Sequence, residues 1–174
     1  HILVHQEDAW IFHGEIDQFL VYYYVGAPWP IGQDDNSKGV GNGGFSLRSR
    51  SAMLRCLERQ DPATLQLGAS TRGYMQSANV TYIPEDVYFS KTMIDLGIGK
   101  VADRATALAF SQETEYSTNS LGGHNFWISG GRRIWQTLYP SPRSYFPTAT
   151  HRSGWKAAME HLQRRGLIGA DGSA

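Results

Sequence analysis

The amino-acid sequence predicts an α/β domain. Strand-patterned and helix-patterned stretches alternate along the chain, and the loops between them carry glycine, asparagine and acidic residues. That is the pattern of a layered fold with its function on the loops. The length of 174 residues suffices for one core and not comfortably for two, so residues 1–174 read as a single domain.

The elements follow in order. "ILVH" (2–5) reads as a short buried strand running into the polar "QED" (6–8). "GEIDQFL" (14–20) reads as a short helix with Ile16, Phe19 and Leu20 on one side. The aromatic and β-branched "VYYYVGAPWP" (21–30) is a strand closed by Gly26 and Pro28, and "IGQDDNSKG" (31–39) is a loop of turn formers. "GNGG" (41–44) reads as a turn, bulge or ligand-facing wall ahead of a strand "GFSLRS" (44–49). Ser49 caps a helix over 50–60 with Met53, Leu54 and Leu57 as its apolar stripe. Residues 61–83 show little periodicity and read as loop with a short strand near the end.

"PEDVYFSKTMIDLG" (84–97) is a helix: Pro84 suits the first turn, acids follow it, Phe89, Met93 and Leu96 share a face, and Gly97 stops it. "ADRATALAF" (102–110) is another helix, "SQETEYS" a strand, and "GGHNFWIS" (122–129) a glycine turn entering an aromatic run. Ser153 caps a last helix over 153–166 with Trp155, Met159 and Leu162 inward. The opening "HILVHQEDAW" starts mid-pattern, as a piece of a longer chain would.

Composition excludes several classes. The formal net charge is zero, so nothing calls for nucleic acid or an anionic surface. No stretch approaches the length of a membrane-spanning helix. The lone Cys56 can form no internal disulfide and supports no cysteine metal site; its helical context reads as buried and inert.

Three places carry candidate chemistry. Asp8 follows a strand end, where open α/β sheets present ligand groups, and its carboxylate suits a divalent cation; a solvated loop acid is the plain alternative. Glu85 and Asp86 start a helix, where acids complement the macrodipole; one of them is also a candidate general base. Successive helix side chains point about 100° apart, so the two cannot face one pocket equally. His124 offers an imidazole that, when neutral, suits Mn²⁺ or Zn²⁺ beside a carboxylate, although a lone histidine is more often a hydrogen-bonded core residue. The 41–44 glycines fit neither the phosphate-loop nor the dinucleotide pattern.

In order, "ILVHQEDAW", "EIDQFLVYYYVGAPWP", "VGNGGFSLRSRSAM", "PEDVYFS", "AFSQETEY" and "GGHNFW" resemble the DUF5672 family, a group similar to GT-A glycosyltransferases. The resemblance runs from about residue 2 to residue 127. "EDV" is also similar to the acidic segment of inverting β-1,3-galactosyltransferase-like enzymes.

The resemblance implies a GT-A-like mixed sheet flanked by helices, the C-terminal acceptor and catalytic part of that fold, with the nucleotide-binding part upstream. It implies transfer of a hexose from a nucleotide-sugar, such as a UDP-sugar, to a hydroxyl of a glycan or other acceptor, with inversion. Asp8 and His124 would be ligands of Mn²⁺ or Mg²⁺, and Asp86, ahead of Glu85, the catalytic base. Asn42, Gly43 and Gly44 would line the sugars, with the glycines letting backbone approach them, and Trp29 would stack on a sugar face. Two positions depart from the family pattern: Gln6 stands where the metal motif has an acid, and Tyr22-Tyr23-Tyr24 replaces Tyr-Asp-Tyr. These departures favour the alternative, a non-catalytic glycan-binding or interaction module on the same scaffold. A metal-dependent hydrolase using Asp8, His124 and Glu85 is a third reading without a supporting motif. Both a bacterial cytoplasm and a eukaryotic Golgi lumen are compatible with the resemblance.

Overall fold

The computed structural model describes residues 1–125 apart from 13, 33, 34, 116 and 118. The expected helix over 153–166 and the aromatic run after Asn125 lie outside the described residues. The architecture is mixed α/β: two small sheets flanked by helices. The first sheet has the order β1–β4–β3, antiparallel throughout, from Ile2–His5 (β1), Val40–Arg48 (β4) and Tyr24–Pro28 (β3). The second has the order β2–β6–β5, from Ala9–Ile11 (β2), Gly122–His124 (β6) and Ser111–Gln112 (β5). β6 runs antiparallel to β2 and parallel to β5. The helices are Arg50–Arg59 (α1), Ala69–Ser77 (α2), Glu85–Asp95 (α3) and Arg104–Phe110 (α4). Among the described residues no helix is long and apolar enough to cross a membrane.

The first sheet is covered on both faces, because successive strand residues point to opposite sides. Tyr24 packs with Val40, Ala52, Cys56, Tyr88 and Met93 in one core cluster, whereas its neighbour Val25 packs with Phe19, Phe45, Leu47 and Phe110 in another. In the second cluster Phe45 stacks on Phe110 with ring centroids 5.1 Å apart, and Phe19 meets the same ring edge-on at 5.0 Å. Helix α4 serves both clusters, through Ala107 in one and Phe110 in the other.

Several expectations change. The strand at 2–5 forms, but as a half-buried edge rather than a buried strand. The 14–20 helix shrinks to a single 3₁₀ turn, Asp17–Phe19, where Phe19 is buried and Leu20 exposed. Ser49 caps α1 as expected, its hydroxyl accepting from Ala52 N–H. The buried face of α1, however, is Ala52 and Cys56, while Leu54 and Leu57 are exposed. Ala52 and Cys56 pack in the cluster that holds Tyr88 and Met93 of α3, and a close helix–helix approach favours small side chains. Cys56 is fully buried, and burial pushes its thiol up to about 11. Residues 69–77 form a helix and no strand follows. Helix α3 buries Val87, Tyr88 and Met93 with Ser90 and Thr92 between them, and Leu96 is exposed.

The glycine segment is neither a turn nor a wall ahead of the strand. It lies inside β4. Gly26 faces Ser46 and the next residue, Ala27, faces Asn42, so Gly43–Phe45 leave the β3 ladder as a bulge. On the other side β1 stays in register, with His5 opposite Phe45 and Gln6 N–H donating to Gly44 O at 2.8 Å. Bulges re-aim backbone and recur beside functional sites.

The glycines are needed here for packing within the chain. A Cβ on Gly43 would lie 2.6 Å from Arg48 Nη2 and 2.7 Å from Asp86 Cβ, and one on Gly44 would overlap the His124 ring. We expect Gly44→Ala to destabilise the fold by about 1–3 kcal/mol through overpacking. Urea denaturation measures this; an unchanged midpoint would show that the histidine ring has room to move.

Candidate functional site

Asp86 is the second residue of α3, and its carboxylate spans two elements. Oδ1 accepts from Val87 N–H at 2.8 Å, and Oδ2 accepts from Gly43 N–H at 2.9 Å. The bulge supplies that second donor, since Gly43 is no longer paired to β3. Burial is the main force on Asp86 and raises its pKa above the usual carboxylate value; neighbouring Glu85 adds to this, and the two N–H donors and Arg48 oppose it. A carboxylate with its affinity for protons raised is suited to general base work.

Glu85 is differently placed. Its side chain is 62 % exposed and pairs with Arg48 at 3.0 Å. Arg48 is buried, with its guanidinium 5.1 Å from the Tyr24 ring centroid. It donates to Ser46 Oγ at 2.9 Å and to Gly43 O at 3.4 Å. Arg48 therefore ties the two ends of the bulge to the start of α3.

On the neighbouring residue of the bulge, the Gly44 backbone packs against His124, the last residue of β6. His124 Nε2 lies 3.2 Å from Asp8 Oδ1, and Nδ1 lies 3.5 Å from Glu113 Oε1. Burial is the largest influence on the imidazole and lowers its proton affinity. The two carboxylates together outweigh it, and the pKa is raised to about 9. His124 is held between two acids, which favour its protonated form. Asp8 is fully buried. Asn42 extends the cluster: its amide donates to Glu113 Oε2, and its Oδ1 accepts from Gly44 N–H at 3.0 Å.

Asn42, Glu85, Asp86, Glu113 and His124 border one cavity of about 660 Å³, a size typical of small-ligand sites. One part of its wall holds Gln6, Asn42, Glu113, His124 and Asn125; Glu85 and Asp86 follow from α3, and α2 and the loop after it add Ser70, Thr71, Tyr74 and Tyr82.

The sequence-predicted residues divide accordingly. Asn42, Glu85, Asp86 and His124 meet at the cavity. Asp8 sits behind its wall, against His124. Trp29 borders the cavity but is only 6 % exposed, which leaves little ring face open for stacking. Gly43 and Gly44 are covered by Arg48, Asp86 and His124, so their role is to admit these side chains rather than a sugar. Glu113 and Arg48 escaped the sequence reading. Glu113 had a usable signal: it directly follows a strand end in "SQET", as Asp8 follows one in "HQED". Arg48 had none, because a basic residue at the end of a strand is ordinarily solvated.

The model of the DUF5672 family, a protein family of unknown function, matches residues 1–124. The chain belongs to that family. The DUF5672 match ends at His124, so it takes in every described strand and helix. No curated protein and no solved structure matches the chain.

His124→Ala leaves the buried Asp8 carboxylate without its histidine partner, and we expect a loss of about 3–5 kcal/mol of stability, read from denaturant midpoints at pH 7. A loss under 1 kcal/mol would show that Asp8 is held by other groups. For Asp86 the folded-state pKa lies above the unfolded value near 4. The neutral form is therefore favoured by folding, and its contribution is present below about pH 4 and lost as pH rises through the folded value. The difference in stability between wild type and Asp86→Asn should accordingly change in this direction across the acid range. A flat difference would show that burial does not govern this carboxylate.

Proposed function

We propose that this chain carries the acceptor and catalytic part of a metal-assisted glycosyltransferase of GT-A-like type, moving a hexose from a nucleotide-sugar such as a UDP-sugar to a hydroxyl acceptor. The observation that carries the reading is Asp86: a half-buried carboxylate with raised proton affinity, anchored at a strand bulge and bordering the same cavity as His124. Its oxygens have lone pairs beyond the two used by backbone donors. Asp86 would accept the proton of the attacking hydroxyl, and direct displacement at the anomeric carbon would invert its configuration.

Asp8 and His124 bring a carboxylate oxygen and an imidazole nitrogen within 3.2 Å, the donor chemistry of Mn²⁺ and, less fully, of Mg²⁺; a cation would have to displace the proton that the neighbouring acids favour on the imidazole. Among the described residues no group of three or more histidine, cysteine or acidic side chains is arranged to hold a cation. The two residues would thus supply part of a shell completed by phosphate oxygens and water. A bound cation would neutralise negative charge growing on the nucleoside diphosphate leaving group. The acids around the cavity make that neutralisation necessary, because they repel a diphosphate. Glu113 and Asn42 would hold His124 and the bulge in place through their shared hydrogen bond.

Gln6 borders the cavity where a metal motif would have an acid, and this favours the second reading, a glycan-binding module without transfer. Titration of UDP into the chain with and without Mn²⁺ separates the two. The transferase reading expects Mn²⁺-dependent binding that Asp8→Ala abolishes, and a transfer rate about 10²–10⁴-fold lower in Asp86→Asn with UDP binding retained. Sugar binding with no UDP binding under any condition would leave the binding module.

A further inference from the structure

The part of the cavity wall formed by α2 and the loop leading to α3 has a different chemistry from the rest. Tyr74 is 55 % exposed and Tyr82 is 71 % exposed, and both border the cavity. Val80 adds an aliphatic surface, and Ser70 and Thr71 add hydroxyls at the start of α2. Pro84 and then Glu85 and Asp86 follow directly along the chain. Exposed tyrosine faces beside hydroxyl groups suit a pyranose, whose C–H face packs on an aromatic ring while its rim forms hydrogen bonds.

The charge around the cavity narrows the class of sugar. Asp35, Glu85, Asp86 and Glu113 border it, and no lysine or arginine belongs to the described lining. A carboxylated, sulfated or phosphorylated sugar would be repelled.

We propose that Tyr74 and Tyr82 form the acceptor subsite of this cavity, and that the acceptor is a neutral hexopyranoside whose hydroxyl is presented to Asp86. This rests on the transferase reading for the word acceptor, but the binding wall itself does not. It also moves the stacking role from Trp29, which is nearly covered, to two residues that are open.

The test is saturation-transfer NMR and calorimetry on the whole 174-residue chain with methyl glycosides of glucose, galactose, mannose, N-acetylglucosamine and N-acetylgalactosamine, and methyl sialoside as the anionic control. UDP with Mn²⁺ is titrated into the same samples. At least one neutral glycoside should bind, and the sialoside should not. Tyr74→Ala and Tyr82→Ala should each weaken glycoside binding about two- to tenfold, while Tyr74→Phe and Tyr82→Phe retain it. UDP·Mn²⁺ affinity should be the same in all variants.

Three results overturn the proposal: no neutral glycoside binds, the sialoside binds equally well, or the alanine variants bind like wild type. If any of these occurs while UDP·Mn²⁺ binds, the subsite is wrong and the transferase reading stands. If glycosides bind through the tyrosines while UDP·Mn²⁺ does not bind, the sugar wall is supported and the transferase reading fails.

Discussion

The site depends on one hydrogen bond, from Gly43 N–H to the Asp86 carboxylate. A strand paired on both sides uses its backbone groups in the ladders. Here β4 leaves β3 for Gly43–Phe45 while it keeps its pairing with β1. That frees a backbone donor inside the fold, where a donor without a partner is costly. Helix α3 resolves the cost by presenting Asp86 in its first turn. Arg48, buried in the same strand, then closes the loop through Gly43 O, Ser46 Oγ and Glu85. The bulge, the helix start and the buried guanidinium therefore form one unit.

The same unit sets two acids to different electrostatic states. Asp86 faces backbone dipoles in a desolvated position, and its proton affinity rises. Asp8 is more deeply buried, and it has the His124 imidazole 3.2 Å away. Two neighbouring residues, Gly43 and Gly44, carry the contacts to α3 and to β6 respectively. Such a division of environments between nearby titratable groups is how one site can hold a charge and also move a proton. Glu113 belongs to the second environment, linking His124 to Asn42 and so returning to β4.

The far wall is held less firmly. Helix α2 buries Thr71 alone among its side chains and has no side-chain cap. Little apolar burial is a feature of segments that open more readily.

By itself the sequence determined the local elements with strong chemical markers. Ser49 and Asp103 can accept from helix N–H groups, and so α1 and α4 start where they do. Pro84 and Gly97 bound α3, and the left-handed φ of 62° at Gly97 is a conformation glycine adopts freely. The resemblance to DUF5672 likewise came from short contiguous runs of residues. Other features depended on partners distant in the chain. The apolar stripe of α1 differs from the expected one because Leu54 and Leu57 match the helical period, yet it is the small Ala52 and Cys56 that are buried, in the cluster with Tyr88 and Met93 of α3. Helix α2 has weak periodicity because one of its faces borders a cavity and not a core. The glycines at 43 and 44 announced a close approach, but what approaches them, a guanidinium, a carboxylate and an imidazole, comes from positions up to residue 124. The assembly of Asp8, Glu113 and His124 is of the same kind. Their local signals were an acid after a strand, an unremarked glutamate and a lone histidine. The pairing of β2 with β6 and of β5 with β6 brings them within ion-pair distance. Caps and turns act over a few residues and are written locally, whereas burial, ion pairing and raised proton affinities arise from what the tertiary structure places alongside.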